Sequence, residues 1–177
     1  RSRRVEELEG IISAKDAQMT ALKDAISAAL TNFEGNGLTV EQRDGKVYVS
    51  MENKLLFESG SWAVNTRGRE AVMQLGNVLA ENPEIAVLIE GHTDTIAYSG
   101  NGNIKTNWDL STKRATSIVS ILTENTKILK ENLTAAGRGE FAPIAPNTTS
   151  EGRSKNRRIE VILTPKLDEI SKLLNEL

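Results

Sequence analysis

The sequence predicts an α/β fold, an α+β two-layer sandwich of order β-α-β-α-β-β behind an N-terminal helical segment. Three observations point there. The apolar period changes from helical to extended near Glu34, and an Asp44-Gly45 turn follows between two short extended runs. One uninterrupted apolar stretch, Ile85 to Ile89, then lies between two amphipathic helical patterns. Strands alternating with helices, both helices on one sheet face, give two layers.

The elements follow in order. Val5, Leu8, Ile12, Lys15, Met19, Leu22, Ile26, Ala29 and Phe33 step by three and four, the a/d spacing of a two-helix seam. Lys15 is its charged member, and Gly10 weakens the first turns. Residues 1–34 are expected to be a coiled-coil dimeriser or spacer; the competing reading is an amphipathic helix lying on its own domain. Glu34-Gly-Asn-Gly37 breaks the helix, so the second domain is placed at 35–177. Leu38 to Val40 and Lys46 to Ser50 read as strands of a hairpin, and Leu55-Leu-Phe57 as further extended chain. Asn65 is a candidate N-cap for a helix carrying Val72, Leu75, Val78 and Leu79, stopped by Asn82-Pro83. Asp109 to Leu122 repeats the helical pattern. Leu133 to Ala136 and Arg158 to Thr164 are the last strands, and Leu167, Ile170, Leu174 and Leu177 mark a short amphipathic helix.

Composition narrows the function. A chain of 177 residues allows one core with an appendage. The 22 basic and 24 acidic residues leave a net charge of -2, which argues against nucleic acid as a partner. No run approaches the roughly 18 apolar residues of a membrane span. The absence of cysteine excludes disulfides, thiol nucleophiles and iron–sulfur clusters, and one histidine leaves little for a metal site. No cofactor is expected. The chain opens on Arg1 with no initiator Met, so membrane contact is expected only through an upstream segment such as a lipid-bearing cysteine or a membrane helix.

The informative stretch is Gly91 to Arg114. Gly91-His-Thr-Asp94 leaves a buried strand, a Gly/Asn/Ser-rich loop follows, and Asn107-Trp-Asp-Leu-Ser111 opens a helix bearing Arg114. Asp94 supplies an anion, Arg114 a planar cationic fork, and the helix start unpaired N–H groups. A ligand with an ammonium and a carboxylate on one carbon would satisfy all three. The bland alternative is a surface salt bridge between Asp94 and Arg114, with Asn107 or Ser111 as ordinary caps. His92 beside Glu90 and Asp94 could suggest a metal, but a structural histidine is the preferred reading. Gly137-Arg-Gly139 reads as a turn.

Gly91-His-Thr-Asp94, Asn107-Trp-Asp-Leu-Ser111 through Arg114-Ala115, Gly137-Arg-Gly139, and Asn147 to Arg158 with its Glu151-Gly-Arg153 and Asn156-Arg-Arg158 blocks occur in one order. In this the chain resembles the OmpA C-terminal-like (OmpA/Pal/MotB) peptidoglycan-binding domain family over roughly residues 40–165. Its Asn-Trp-Asp-Leu-Ser block is similar to the MotB form. The resemblance implies noncovalent binding of peptidoglycan through the diaminopimelate of the stem peptide. It puts Asp94 on the ammonium and Arg114 on the carboxylate, with Asn107, Arg157, Thr95 and Leu110 around them. The loop from Thr95 to Lys105 is longer than in OmpA and Pal, so its contacts do not transfer.

The expected function is therefore a cell-wall anchor and not an enzyme, in the periplasm of a Gram-negative envelope, tethered to the outer membrane, or to the inner membrane if stator-like. A homodimer through the coil would add avidity. The rivals are the periplasmic part of a MotB-like stator or transport subunit, and a wall hydrolase using Glu90 and Asp94.

Overall fold

The computed structural model describes residues 2–176. Helix α1 spans Arg3–Ala29 and starts at Ser2, whose side chain accepts from the Val5 N–H. Strands β1 (Leu38–Arg43) and β2 (Lys46–Glu52) form an antiparallel hairpin. Its turn places Asp44 at φ 51° and Gly45 at φ 75°, the pair of left-handed residues that a two-residue I′ turn requires. Helices α2 (Asn53–Leu56) and α3 (Thr66–Ala80) follow, then β3 (Ile85–His92), α4 (Asn107–Leu122), β4 (Leu133–Gly137), α5 (Ser150–Asn156), β5 (Arg158–Pro165) and α6 (Asp168–Asn175). As expected, Asn65 caps α3, accepting from the Gly68 N–H at 2.7 Å.

One five-stranded sheet of order β1-β2-β5-β3-β4 organises the domain. Only β3 and β4 are parallel; β5 inserts between β2 and β3 and runs antiparallel to both. Alternation along the strands sends Val47, Val49, Met51, Val87, Ile89, Ile159, Val161 and Leu163 under the helices, fully buried. Tyr48, Leu88 and Ile162, at the intervening positions, are half-buried on the opposite face.

The helical layer holds three main helices, not two. From Met19 onwards α1 lies on the domain: Met19, Leu22, Ile26, Leu30 and Phe33 join the same core as the sheet residues. Helix α1 meets β1, β2 and α3, while α4 covers β3 and β4. The change of period at Glu34 is thus a boundary in pattern and not in packing. Half of the heptad seam is used intramolecularly, because the apolar faces of β1 and β2 would otherwise meet water. Val5 and Ile12, in the first half, are 36% and 44% exposed. There α1 runs beside α6, with Ile11 and Leu173 half-buried between them and the Arg4 guanidinium donating to the Glu176 carbonyl.

Two segments depart from expectation. Residues 53–56 form one helical turn where extended chain is expected. That turn buries Leu55 and Leu56 side by side, which an alternating strand could not do. Helix α5 carries no apolar period and so has no sequence signal beyond Thr149, whose hydroxyl caps it by accepting from the Gly152 N–H. Among the described residues no helix is long and apolar enough to cross a membrane.

Candidate functional site

Two glycines position the site. Gly91 on β3 and Gly137 on β4 are register partners beneath the first turns of α4. A Cβ at Gly91 would lie 2.1 Å from the Ser111 carbonyl oxygen, and one at Gly137 would lie 2.0 Å from the Thr112 hydroxyl. Only bare backbone lets α4 approach so closely, which holds its start against the end of β3. The Ser111 hydroxyl, expected as a possible cap, accepts instead from the Gly139 N–H at 3.1 Å and ties the β4 exit to the helix.

The true N-cap of α4 is Thr106, in a reciprocal capping box with Asp109. The N–H groups of Lys105 and Thr106 hold the Asp109 carboxyl below its ordinary range. Asn107 is thereby free for another task. Its amide donates to the carbonyl of Ile96 at 3.0 Å and to Glu140 Oε2 at 2.6 Å, with a longer contact to the Asp94 carbonyl. It pins the turn that follows Asp94.

Above this junction opens a cleft of about 670 Å³, whose walls include Asp94, Asn107, Leu110, Arg114 and Arg157. Asp94 is 4% exposed; its Oδ1 accepts from the Ile96 N–H at 2.9 Å and its Oδ2 from Arg157 Nη1 at 2.5 Å. Arg114 is 6% exposed, donates from Nε to the Ser61 carbonyl at 2.8 Å, and lies 5.2 Å from the Phe57 ring centre. Burial pushes its pKa down to about 10, helped by the Arg157 charge and opposed by Tyr98 and Asp94. It stays cationic at neutral pH. Among the described residues Arg114 makes no ion pair with Asp94 or any other acid. The direct Asp94–Arg114 bridge is therefore absent, and Asp94 pairs with Arg157 at the end of α5. The cleft presents a carboxylate at one point and an unneutralised guanidinium at another.

Five of the six expected residues share this wall. Thr95 does not: it is exposed, and the wall passes from Asp94 to Ile96. The Oδ1 hydrogen bond to the Ile96 N–H turns the intervening residue outwards. Ser61 and Phe57, which hold Arg114, and Glu140, which holds Asn107, carried no signal in the sequence because their partners lie tens of residues away.

A second polar cluster lies beside the cleft. His92 Nε2 is 2.8 Å from Glu90 Oε1 and 4.0 Å from Glu160 Oε2, and Arg158 Nε donates to Glu160 Oε1 at 3.0 Å. The His92 hydrogen bond is the main cause of a lowered Glu90 pKa, working against burial, with Arg138 and Arg158 adding their charge. These three ligand-type residues are close enough to bracket a metal. Arg158 pairs with Glu160, and Arg138 lies 3.8 Å from Glu90, so guanidiniums already stand against both acids. Asp94, two residues from His92, takes no part in it.

Fold and cleft together define a mixed α/β domain with an open cleft where a strand end meets a helix start. The OmpA family model matches residues 56–157, and the chain belongs to the OmpA family. It is 36% identical over 118 residues to motility protein B of Bacillus subtilis, covering 67% of this chain and 45% of that protein. A MotB-like protein from Desulfovibrio vulgaris has the same fold, with a TM-score of 0.79, 24% identity, and coverage of 90% of this chain and 99% of that one. The cell wall anchor of the T6SS from Pseudomonas aeruginosa superposes with a TM-score of 0.72 at 26% identity, covering 80% of this chain and 97% of the other. The chain thus spans less than half of its motility-protein relative.

Proposed function

We propose that this domain binds peptidoglycan noncovalently, taking the diaminopimelate centre of the stem peptide into the Asp94–Arg114 cleft, and so anchors an envelope protein to the cell wall. The observation that carries this reading is the unneutralised Arg114 guanidinium beside a buried carboxylate that does not pair with it. The ammonium would meet Asp94, displacing or sharing the Arg157 contact, and the carboxylate would meet the Nη groups of Arg114. Asn107 holds the turn carrying Asp94, Leu110 supplies apolar wall, and Arg157 serves as the counter-ion of Asp94 before the ligand arrives. Thr95 contributes through its backbone position only.

Charge-assisted hydrogen bonds are worth about 1.5–3 kcal/mol each, partly offset by lost freedom, so a single site binds weakly. Two linked copies on a polymeric wall would gain by avidity, and the exposed Val5 and Ile12 are available for such pairing. The likeness to a cell wall anchor supports the anchoring role, and the likeness to motility protein B supports a second setting, the envelope part of a stator-type complex. A hydrolase is less well supported. Asp94 is tied down by Arg157 and the Ile96 N–H, and Glu90 is held ionised by His92, which leaves neither poised to donate a proton. Purified sacculi should retain the wild type and release Asp94→Ala and Arg114→Ala. Retention of both variants would refute the site, and unchanged binding after amidation of the diaminopimelate carboxylate would refute the role of Arg114.

A further inference from the structure

Trp108 and Phe141 stand beside the cleft with no part in the site just described. They are 50% and 61% exposed, and their rings stack at 5.1 Å between centroids and 25° between planes. Each comes from a segment that also builds the site. Trp108 follows Asn107 on the first turn of α4, and Phe141 follows Glu140, which accepts the Asn107 amide at 2.6 Å. Gly139, at φ 57°, lies against both rings; a Cβ there would touch Trp108 and Phe141 at 3.4 Å each. The backbone is thus fixed by hydrogen bonds, and its two neighbouring aromatic side chains are left in water.

Large exposed rings on rigid backbone, next to a polar cleft, mark a contact surface. The chemistry of the surface indicates the occupant. A flat apolar ring face suits the C–H face of a pyranose, and Glu140, next to Phe141 in the chain, offers a carboxylate to its hydroxyl and acetamido groups. In peptidoglycan the stem peptide hangs from a muramyl sugar, with diaminopimelate as its third residue. The lactyl group, an alanine, a γ-linked glutamate and the diaminopimelate side chain separate the sugar from the free ammonium-carboxylate centre by at most about 20 Å of extended chain, roughly six residue lengths, so the sugar can fold back to the rim of the cleft. Trp108 follows Asn107 of the cleft wall on the first turn of α4, within that reach.

We infer that the Trp108–Phe141 pair is a carbohydrate subsite, stacking an N-acetylhexosamine ring of the glycan strand whose stem peptide occupies the cleft. The inference rests on the peptidoglycan reading of that cleft. It also gives the site a means of telling a wall-attached peptide from a free one, because only the former brings a sugar to the rings.

The test compares two ligands by calorimetric titration: a disaccharide-tripeptide containing diaminopimelate, and the same tripeptide freed of sugar by an amidase. Trp108→Ala and Phe141→Ala should each weaken the disaccharide-tripeptide about two- to tenfold, the worth of one ring contact. Both should leave the free tripeptide unchanged, and Trp108→Phe should keep most of the gain from the sugar. Equal weakening of both ligands would mean that Trp108 acts through Asn107, and no weakening of either would mean that the rings serve another partner; each result overturns the subsite. Failure of the wild type to bind the free tripeptide at all would instead count against the cleft reading. Far-ultraviolet circular dichroism and the Asp94→Ala variant, which should lose both ligands, complete the comparison.

Discussion

Replacing Arg114 with Met separates binding from stability. Met keeps an unbranched chain over the Phe57 ring and removes the charge. In the free domain that charge is expensive, since burial pushes the Arg114 pKa down to about 10. A tenfold change in proton affinity is worth about 1.4 kcal/mol, so holding this guanidinium charged costs the folded state about 3 kcal/mol. Against this stand the hydrogen bond from Nε to the Ser61 carbonyl, worth about 1 kcal/mol with a half-buried acceptor that can take a water instead, and the contact with the Phe57 ring, worth about 0.5–1 kcal/mol. Arg114→Met should therefore stabilise the unliganded domain by about 1–2 kcal/mol while abolishing retention on sacculi. A base with a lowered folded pKa carries its cost in full below that pKa and loses it as pH rises towards the ordinary arginine value. A urea titration at pH 7 thus measures the whole effect. A loss of more than about 2 kcal/mol, the usual result of altering a buried side chain, would show that Arg114 serves the fold. The idea of a cation held at a cost for a ligand carboxylate would then fall.

Two further outcomes follow from the packing. Deleting residues 2–33 removes Met19, Leu22, Ile26, Leu30 and Phe33 from the core; at about 2–5 kcal/mol for each large buried side chain, the remainder should not fold, whereas deleting 2–12 should leave a folded domain. Thermal melts of the two fragments distinguish these, and a stable 34–177 fragment would refute the shared core. Glu90, whose pKa His92 lowers below 4.5, contributes stability above that pH and loses it as pH falls through its folded value. The wild type should accordingly lose more stability than Glu90→Gln on acidification below about pH 4.5, and parallel acid profiles would dismiss the Glu90–His92 contact as unimportant.

The heptad shows where sequence reading stops. Its spacing establishes a helix with one apolar stripe, and the helix is there. Periodicity does not say what covers the stripe, and a second copy and the chain's own sheet make the same pattern. The structure divides it, with Met19 to Phe33 on the sheet and Val5 and Ile12 exposed. At 53–56 the leucine pair reads as extended chain, and the structure instead closes one helical turn there that buries both.

At the site, residue types and local order were legible from the sequence alone: the buried strand that leads into Asp94, the helix bearing Arg114, and the opposite charges a zwitterion would need. These depend on contacts a few residues apart. The tertiary structure decided who pairs with whom. Arg157 reaches Asp94 across 63 residues, Ser61 holds Arg114 across 53, and Glu140 holds Asn107 across 33. Such partners are brought together by strand insertion and by a close approach of α4 that only Gly91 and Gly137 allow. No local pattern encodes them, because hydrogen bonds and ion pairs are formed by proximity in the fold and not in the chain.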